Sequence, residues 1–129
     1  MKSGEHGTTF GGGPLACRLA LEVLDVIEEE KMLPRVADLG QVLKSGLAEL
    51  AARHRAVGEV RGLGLMLGVE MGARAKEIVS RLLTKGYVAN AAHETVLRLL
   101  PPFIINESQI DEFLAALDGT LGEIEADSR

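Results

Sequence analysis

The sequence is poor in the residues that cross-link or brace a chain: among 129 residues it has one cysteine, no tryptophan and 3% aromatic residues. The single cysteine, Cys17, excludes an internal disulfide and is typical of a reducing compartment such as the cytoplasm. Hydrophobic residues make up 47% of the chain, so the core has to be built from Leu, Val, Ala and Ile. Cys17 stands among Ala16, Leu19 and Ala20, and we expect it to be a core residue.

An excess of basic residues is also absent, since the formal net charge is −5 at pH 7. Nucleic acids and anionic membranes both call for a basic face, so neither is an expected partner. No apolar run approaches the roughly 20 residues of a membrane span, and the N-terminus does not resemble a signal peptide. We therefore expect a soluble protein.

Metal-ligand spacing is missing too. The histidines His6, His54 and His93 have no such spacing with one another or with Cys17, so no metal site is expected. The chain has two glycine-rich stretches, residues 4–13 and residues 62–68. Neither is followed by Gly-Lys-[Ser/Thr], which excludes a Walker nucleotide loop. His6 is a candidate for ordering the N-terminal loop, and His54 falls at a predicted helix end, where a cation is favoured.

What the sequence does have is a glycine-dense N-terminal loop, His6-Gly7-Thr8-Thr9-Phe10-Gly11-Gly12-Gly13, leading into Pro14 and an apolar helix. Glycines let backbone N–H groups converge on a ligand, and threonine hydroxyls add donors, which is the chemistry of a phosphate or other anion site. The alternative is a flexible tail before a helix. An aromatic residue and paired threonines are unlike a Gly/Ser/Pro linker.

Hydrophobic periodicity predicts four helices. The first begins at Pro14 and runs to about residue 31, and the second runs from near Pro34 to about residue 54, with residues 32–34 as a short joint. The third spans about residues 74–85 and ends at Gly86. Asn106 caps the last helix, with Gln109 in the capping-box position.

Strands are predicted between these helices. Leu65, Leu67 and Val69 alternate with polar or small residues, and glycines mark the turn to the strand before. Further strands are expected at residues 87–89 and 96–99, separated by a turn around residues 92–94. This order predicts an α+β fold: a small, mainly antiparallel sheet with helices on one face.

Three motifs and a closing helix, in this order along the chain, resemble the class III, pyridoxal-phosphate-dependent aminotransferases. The N-terminal loop resembles the family's HG-[ST]-[TS]-[FY]-GGNP-LA motif, although Gly13 stands where asparagine is usual. Residues 60–70 resemble its V-R-G-x-G-L-M-x-G-x-E strand pair, residues 96–105 its V-[IL]-R-x-x-P-P-L segment, and residues 107–117 its closing helix. Within the family the combination is most similar to acetylornithine aminotransferases of arginine biosynthesis.

The resemblance covers about the last third of such an enzyme. It implies a loop over residues 1–13 and a C-terminal small domain over residues 14–129, of the kind found in fold type I aminotransferases. The larger cofactor domain, with its Schiff-base lysine, would precede Met1. None of the five lysines stands in the family's Schiff-base context; they are Lys2, Lys31, Lys44, Lys76 and Lys85. We therefore expect the chain alone to be inactive and to bind no pyridoxal phosphate covalently.

The resemblance also implies roles for three residues. Thr9 would bind the cofactor phosphate of the other subunit of a dimer, and Thr8 would support it. Arg98 would bind the α-carboxylate of the amino acid. From the strand pattern alone, Arg98 lies either on a solvent face or in a polar site. Arg61 invites a similar role, but an ion pair with Glu59 or Glu70 is the simpler interpretation.

Two alternatives stay open from the sequence. One is another class III ω-aminotransferase, acting on ornithine, 4-aminobutyrate or an aminoadipate semialdehyde derivative. The other is a non-enzymatic oligomerisation module that reuses the fold. In the enzyme interpretation the partners are an amino acid, 2-oxoglutarate, the cofactor domain and a second subunit. Self-association would run through the glycine-rich loop and the first helix, whose wide apolar surface needs cover.

Overall fold

A computed structural model describes residues 7–127 and divides the chain into two compact units, Met1–Pro34 and Arg35–Arg129. His6 and Lys2, named above, lie outside the described residues.

The first unit consists of the loop over residues 7–13 and helix α1, Pro14–Glu29. Pro14 occupies the first turn, where its missing N–H costs no hydrogen bond. Arg18 pairs with Glu22 at 2.7 Å and Asp25 at 3.9 Å, forming the polar stripe of the helix. No residue of α1 is buried, and Cys17 is exposed. The prediction of Cys17 as a core residue is wrong because one helix and a short loop provide no second layer.

Helix α2, Met32–Arg53, begins earlier than the sequence predicts. The predicted joint at residues 32–34 is wrong, since the break between α1 and α2 falls at Lys31, whose φ is 49°. Pro34 lies in the first turn of α2, where a proline removes no helical hydrogen bond. A lysine in a sequence does not predict a positive φ or a helix end, whereas a proline often does. Pro34 therefore placed the predicted break between the two helices too late in the chain.

The second unit contains a four-stranded sheet, order β1-β2-β4-β3, with every neighbouring pair antiparallel. The strands are β1, Val60–Leu63; β2, Met66–Glu70; β3, Asn90–Ala92; and β4, Val96–Leu99. The predicted turn before β4 is confirmed at residues 93–95, where His93 and Glu94 have positive φ.

The strand predicted at residues 87–89 is displaced, because the chain there still closes helix α3, Ala75–Thr84. The N–H of Gly86 donates to Leu83 O at 3.0 Å, and that of Tyr87 donates to Leu82 O at 2.9 Å. With Gly86 at φ 89° these bonds form a Schellman motif. Tyr87 is thereby kept from the sheet, and β3 begins three residues later than predicted.

The remaining elements are a short 3-10 helix, Gly72–Arg74, and helix α4, Glu107–Ala126. The predicted capping box of α4 is confirmed: the N–H of Gln109 donates to Asn106 Oδ1 at 2.9 Å, and the N–H of Asn106 donates to Gln109 Oε1 at 3.1 Å. None of the helices within residues 7–127 combines the length and the hydrophobicity that a membrane-spanning helix needs.

One face of the sheet is buried beneath helices α2, α3 and α4. As predicted, Leu65, Leu67 and Val69 alternate inward, and Leu97 and Leu99 of β4 join them. The helices contribute a largely aliphatic set to the same core: Leu39, Leu43, Leu47, Leu50, Ile78, Leu82, Ile110, Leu117, Leu121 and Ile124. The α+β fold with helices on one face of an antiparallel sheet is confirmed, and the opposite sheet face is left open.

Candidate functional site

The glycine-rich loop of the first unit forms a turn closed by one of its threonines. The N–H of Gly11 donates to Thr8 Oγ1 at 3.2 Å, and Gly12 has φ 79°. A Cβ on Gly11 would overlap Thr8 Cγ2, so a larger residue there would displace the Thr8 side chain. Thr8 therefore supports the loop through its hydroxyl.

Thr9 and Phe10, at the tip of this turn, are exposed. Within the described part of the chain, the Thr9 hydroxyl has no hydrogen-bond partner and is available as a donor. A free hydroxyl beside several glycine N–H groups is a donor set that suits a phosphate dianion. The loop thus fits the phosphate end of pyridoxal phosphate.

Arg98 lies in the second unit, on the open face of the sheet. Its register partners are Gly68 on β2 and Asn90 on β3, and directly opposed residues of an antiparallel pair share a face. Arg98 is exposed, and no residue between 7 and 127 makes a hydrogen bond or ion pair with its guanidinium. Of the two placements that the strand pattern allows, the solvent face is the one observed.

Arg61, by contrast, is engaged, as the sequence predicts. Its Nη1 lies 3.3 Å from Glu59 Oε2, and its Nη2 lies 3.6 Å from Glu70 Oε2. Arg61 is also the register partner of Gly68, on the side of β2 away from Arg98. The sheet therefore brings together one paired arginine, one unpaired arginine and a glycine between them.

An apolar groove of about 470 Å³ follows β4. Its lining is dominated by aromatic, proline and branched side chains, among them Tyr87, Leu99, Pro101, Pro102, Ile105 and Phe113. Arg35 fixes the wall by donating to the backbone oxygens of Ile104 at 3.3 Å and Ile105 at 2.8 Å. With no cation in its lining, the groove is not a carboxylate site.

A cluster that sequence reasoning missed joins the end of α2 to α4. His54, whose side chain is 11% exposed, has Nε2 2.6 Å from Asp118 Oδ1 and Nδ1 3.3 Å from Glu125 Oε2. Arg53 pairs with Asp118 at 2.9 Å. The hydrogen bond from His54 and the charge of Arg53 hold the pKa of Asp118 below its usual value. This cluster links helix α2 to helix α4.

Two lysines are occupied in surface ion pairs. Lys76 is 2.6 Å from Glu94, and Lys85 is 2.9 Å from both Thr120 and Glu123. Across residues 7–127 no group of three or more His, Cys, Asp or Glu side chains could hold a metal ion.

Comparison with known proteins identifies the family to which the chain is similar. Residues 1–121 match the model of the family described as Aminotransferase class-III. The acetylornithine aminotransferase of Methanocaldococcus jannaschii is 43% identical over 124 residues, and ornithine aminotransferase 1 of Staphylococcus aureus is 37% identical over 116 residues. These alignments cover 96% and 90% of this chain but 31% and 29% of those proteins.

Solved structures agree. The acetylornithine aminotransferase of Elizabethkingia anophelis superposes with a TM-score of 0.84 at 33% identity, covering 95% of this chain and 33% of that one. The ornithine δ-aminotransferase of Plasmodium falciparum superposes with a TM-score of 0.85 at 31% identity, and the match covers 98% of this chain and 34% of that one. The chain thus spans about a third of the length of the relatives it matches.

Proposed function

This chain belongs to the class III aminotransferase family, and we propose that it forms the C-terminal part of an acetylornithine-type transaminase. In that enzyme an amino group moves between an ω-amino acid, N-acetylated or free, and 2-oxoglutarate. The observation that carries the proposal is Arg98, a guanidinium left unpaired by residues 7–127 within the family's strand motif. The family's cofactor is pyridoxal phosphate, and when bound it supplies the electron-withdrawing ring for amino transfer.

Arg98 binds the α-carboxylate of the amino acid and of 2-oxoglutarate. A guanidinium presents two parallel N–H donors that match the two oxygens of a carboxylate, which a lysine cannot reproduce. Gly68 beside it carries no side chain, and Val96 Cγ1 borders that position, 3.2 Å from where a Cβ would stand. The residue orients the substrate and takes no part in proton transfer.

Thr9 donates its hydroxyl and backbone N–H to the cofactor phosphate of the partner subunit. Thr8 keeps the loop in shape through its bond with Gly11. Several charge-assisted hydrogen bonds are needed to hold a phosphate dianion away from water, and the turn offers them from adjacent residues.

The subunits associate through the first unit. Helix α1 exposes several large apolar side chains, including Leu15, Leu19, Leu21, Val23 and Leu24. Exposed apolar surface of this extent marks an interaction site. In the assembled enzyme this apolar surface is covered by a second copy of the chain and by the cofactor domain.

The chain by itself is inactive, because the lysine that would bind the cofactor is not among its residues. Lys76 and Lys85 are tied up in ion pairs with carboxylates. The whole activity therefore depends on the cofactor domain that the family resemblance implies, and the chain spans 31% of the length of its Methanocaldococcus jannaschii relative.

A chimera tests the proposal. This chain would replace the matching 124-residue segment of the Methanocaldococcus jannaschii acetylornithine aminotransferase. We expect transamination of N-acetylornithine with 2-oxoglutarate, measured beside ornithine and 4-aminobutyrate as competing donors. A folded chimera that binds pyridoxal phosphate and transfers no amino group from any of them would contradict the proposal. A strong preference for ornithine would favour the alternative of an ornithine aminotransferase, which is the name of the Staphylococcus aureus relative.

A further inference from the structure

The open face of the sheet carries two arginines, Arg61 and Arg98, and within residues 7–127 only Arg61 has an ion-pair partner. Arg61 on β1 and Arg98 on β4 are both register partners of Gly68 on β2. Because neighbouring strands are about 4.8 Å apart, the two arginine backbones are separated by about 10 Å across the glycine. The next residue on the same face of β2 is Glu70, which pairs with Arg61.

Glu70 is related to both arginines by strand register. It is the register partner of Val96, two residues from Arg98, and it follows Gly68, the partner of Arg61, by two residues. It is therefore the diagonal neighbour of each, and diagonal neighbours are about 7–8 Å apart, close enough for long side chains to meet. A glutamate here can neutralise either arginine.

In the structure the glutamate is turned toward Arg61. Glu70 Oε2 lies 3.6 Å from Arg61 Nη2, and Arg61 also holds Glu59 at 3.3 Å. Both side chains of the Arg61–Glu70 pair are partly exposed, at 48% and 38%. Exposed ion pairs contribute little free energy, so the Arg61–Glu70 pair holds this carboxylate only weakly.

We infer that Arg61 is a positioning residue, which holds Glu70 and so keeps Arg98 free for a substrate carboxylate. This inference rests on the function proposed for Arg98. An Arg98–Glu70 pair would place an internal carboxylate where the carboxylate of the substrate has to bind. Gly68 itself carries no side chain between the two arginines, and Val96 Cγ1 lies 3.2 Å from the position that a Cβ on Gly68 would take.

The pairing is tested on this chain by NMR of the Arg98 side-chain Nε–Hε group. In Arg61→Gln we expect the Arg98 signal to shift and its exchange with water to slow, because Glu70 is now its partner. In Arg61→Gln/Glu70→Gln the signal should return to its original position. Glu59→Gln is the matched control: it removes a carboxylate of the same network but leaves Glu70 with Arg61, so Arg98 should not change. An unchanged Arg98 signal in Arg61→Gln, or an equal change in Glu59→Gln, would overturn the inference.

The consequence for binding is tested in the chimera. Arg61→Gln should raise the KM for 2-oxoglutarate by about fivefold with kcat nearly unchanged, the size expected when an exposed ion pair competes with a ligand. Adding Glu70→Gln should restore the KM, and Arg61→Lys, which keeps the charge, should leave it unaltered. A raised KM that Glu70→Gln does not rescue would overturn the inference.

The two proposals fail in different ways. If Arg98→Lys leaves the KM for 2-oxoglutarate unchanged, the carboxylate role of Arg98 is wrong, whatever Arg61 does. If Arg98→Lys raises the KM while Arg61→Gln does not, the proposed function stands and the role of Arg61 is wrong.

Discussion

Gly64, in the turn between β1 and β2, lies directly against the backbone of Gly40 in helix α2. A Cβ built on Gly40 would be 2.7 Å from Gly64 Cα and closer still to its carbonyl group. Two glycines thus allow a helix and a turn to touch backbone to backbone. This contact fixes the position of the β1–β2 hairpin, and with it the strand that carries Gly68 and Glu70.

Gly40→Ala should therefore destabilise the chain although alanine is the better helix former. Since the neighbouring atoms are backbone and cannot rotate away, we expect a loss of about 1–3 kcal/mol in the free energy of unfolding. Gly122→Ala, in α4, is the matched control: nothing lies within 4 Å of its Cβ position, so it should gain about 0.5–1 kcal/mol. Denaturant titration of both variants measures the difference, and equal effects in the two helices would contradict this contact.

The Asp118 cluster predicts a dependence of stability on acid. Because its folded pKa is lowered by His54 and Arg53, Asp118 contributes stability above its unfolded pKa of about 3.9, and that contribution is lost as the pH falls through the folded pKa. Asp118→Asn should thus be less stable than the parent chain at pH 7, with the gap narrowing below about pH 4.

Asp111→Asn, the same chemical change at an exposed position of α4, controls for the loss of one charge. Urea titrations at a series of pH values give the comparison. A gap between Asp118→Asn and its parent that stays constant down to pH 2, or that Asp111→Asn reproduces, would show that the cluster does not act this way.

Helix α1 should drive self-association of the isolated chain. Its apolar side chains are exposed, with Leu19 at 57% and Val23 at 58%, and burial against a second copy removes them from water. Leu19→Gln/Val23→Gln should shift the chain toward monomer in sedimentation velocity runs over a range of concentrations. Glu22→Gln, in the polar stripe, should leave the distribution unchanged. A clean monomer of the parent chain at high concentration would contradict the prediction.

Thr9→Ala, in the chimera, should raise the dissociation constant for pyridoxal phosphate about tenfold, the size expected when a charge-assisted hydrogen bond is lost. Affinity for 2-oxoglutarate should change little. In mixed dimers with one Thr9→Ala subunit, borohydride fixation and mass analysis of each subunit should find the cofactor missing from the wild-type subunit. Loss confined to the mutant subunit would show that the loop acts within its own chain. Thr84→Ala, an exposed threonine bonded only to Arg81 O among the described residues, is the control.

The sequence predicted the fold best where a local rule decides the structure. The inward alternation of Leu65, Leu67 and Val69 and the capping box of α4 depend on neighbours a few residues away. The predicted position of the break between α1 and α2 is wrong because the chain turns at Lys31, and a lysine does not predict a positive φ. Strand β3 was misplaced because the Schellman bonds of α3 extend through Tyr87, which pattern alone does not show.

The candidate site was predictable only in part. The motifs place Thr8, Thr9 and Arg98, but whether an arginine is paired depends on strand register, which brings Glu70 next to both Arg61 and Arg98. The contact of His54 with Asp118 joins residues 64 positions apart. Such contacts follow from the packing of α2 on α4, and no spacing along the chain encodes them.

The central claim is that Arg98 binds the carboxylate of the substrate, and the KM for 2-oxoglutarate of Arg98→Lys in the chimera tests it most directly. Replacing a two-pronged guanidinium by a single ammonium should cost about 2–3 kcal/mol of binding, a rise of about 30- to 150-fold in KM. The content of pyridoxal phosphate per subunit should stay the same. An unchanged KM, or a loss of cofactor in place of a loss of 2-oxoglutarate affinity, would contradict the account.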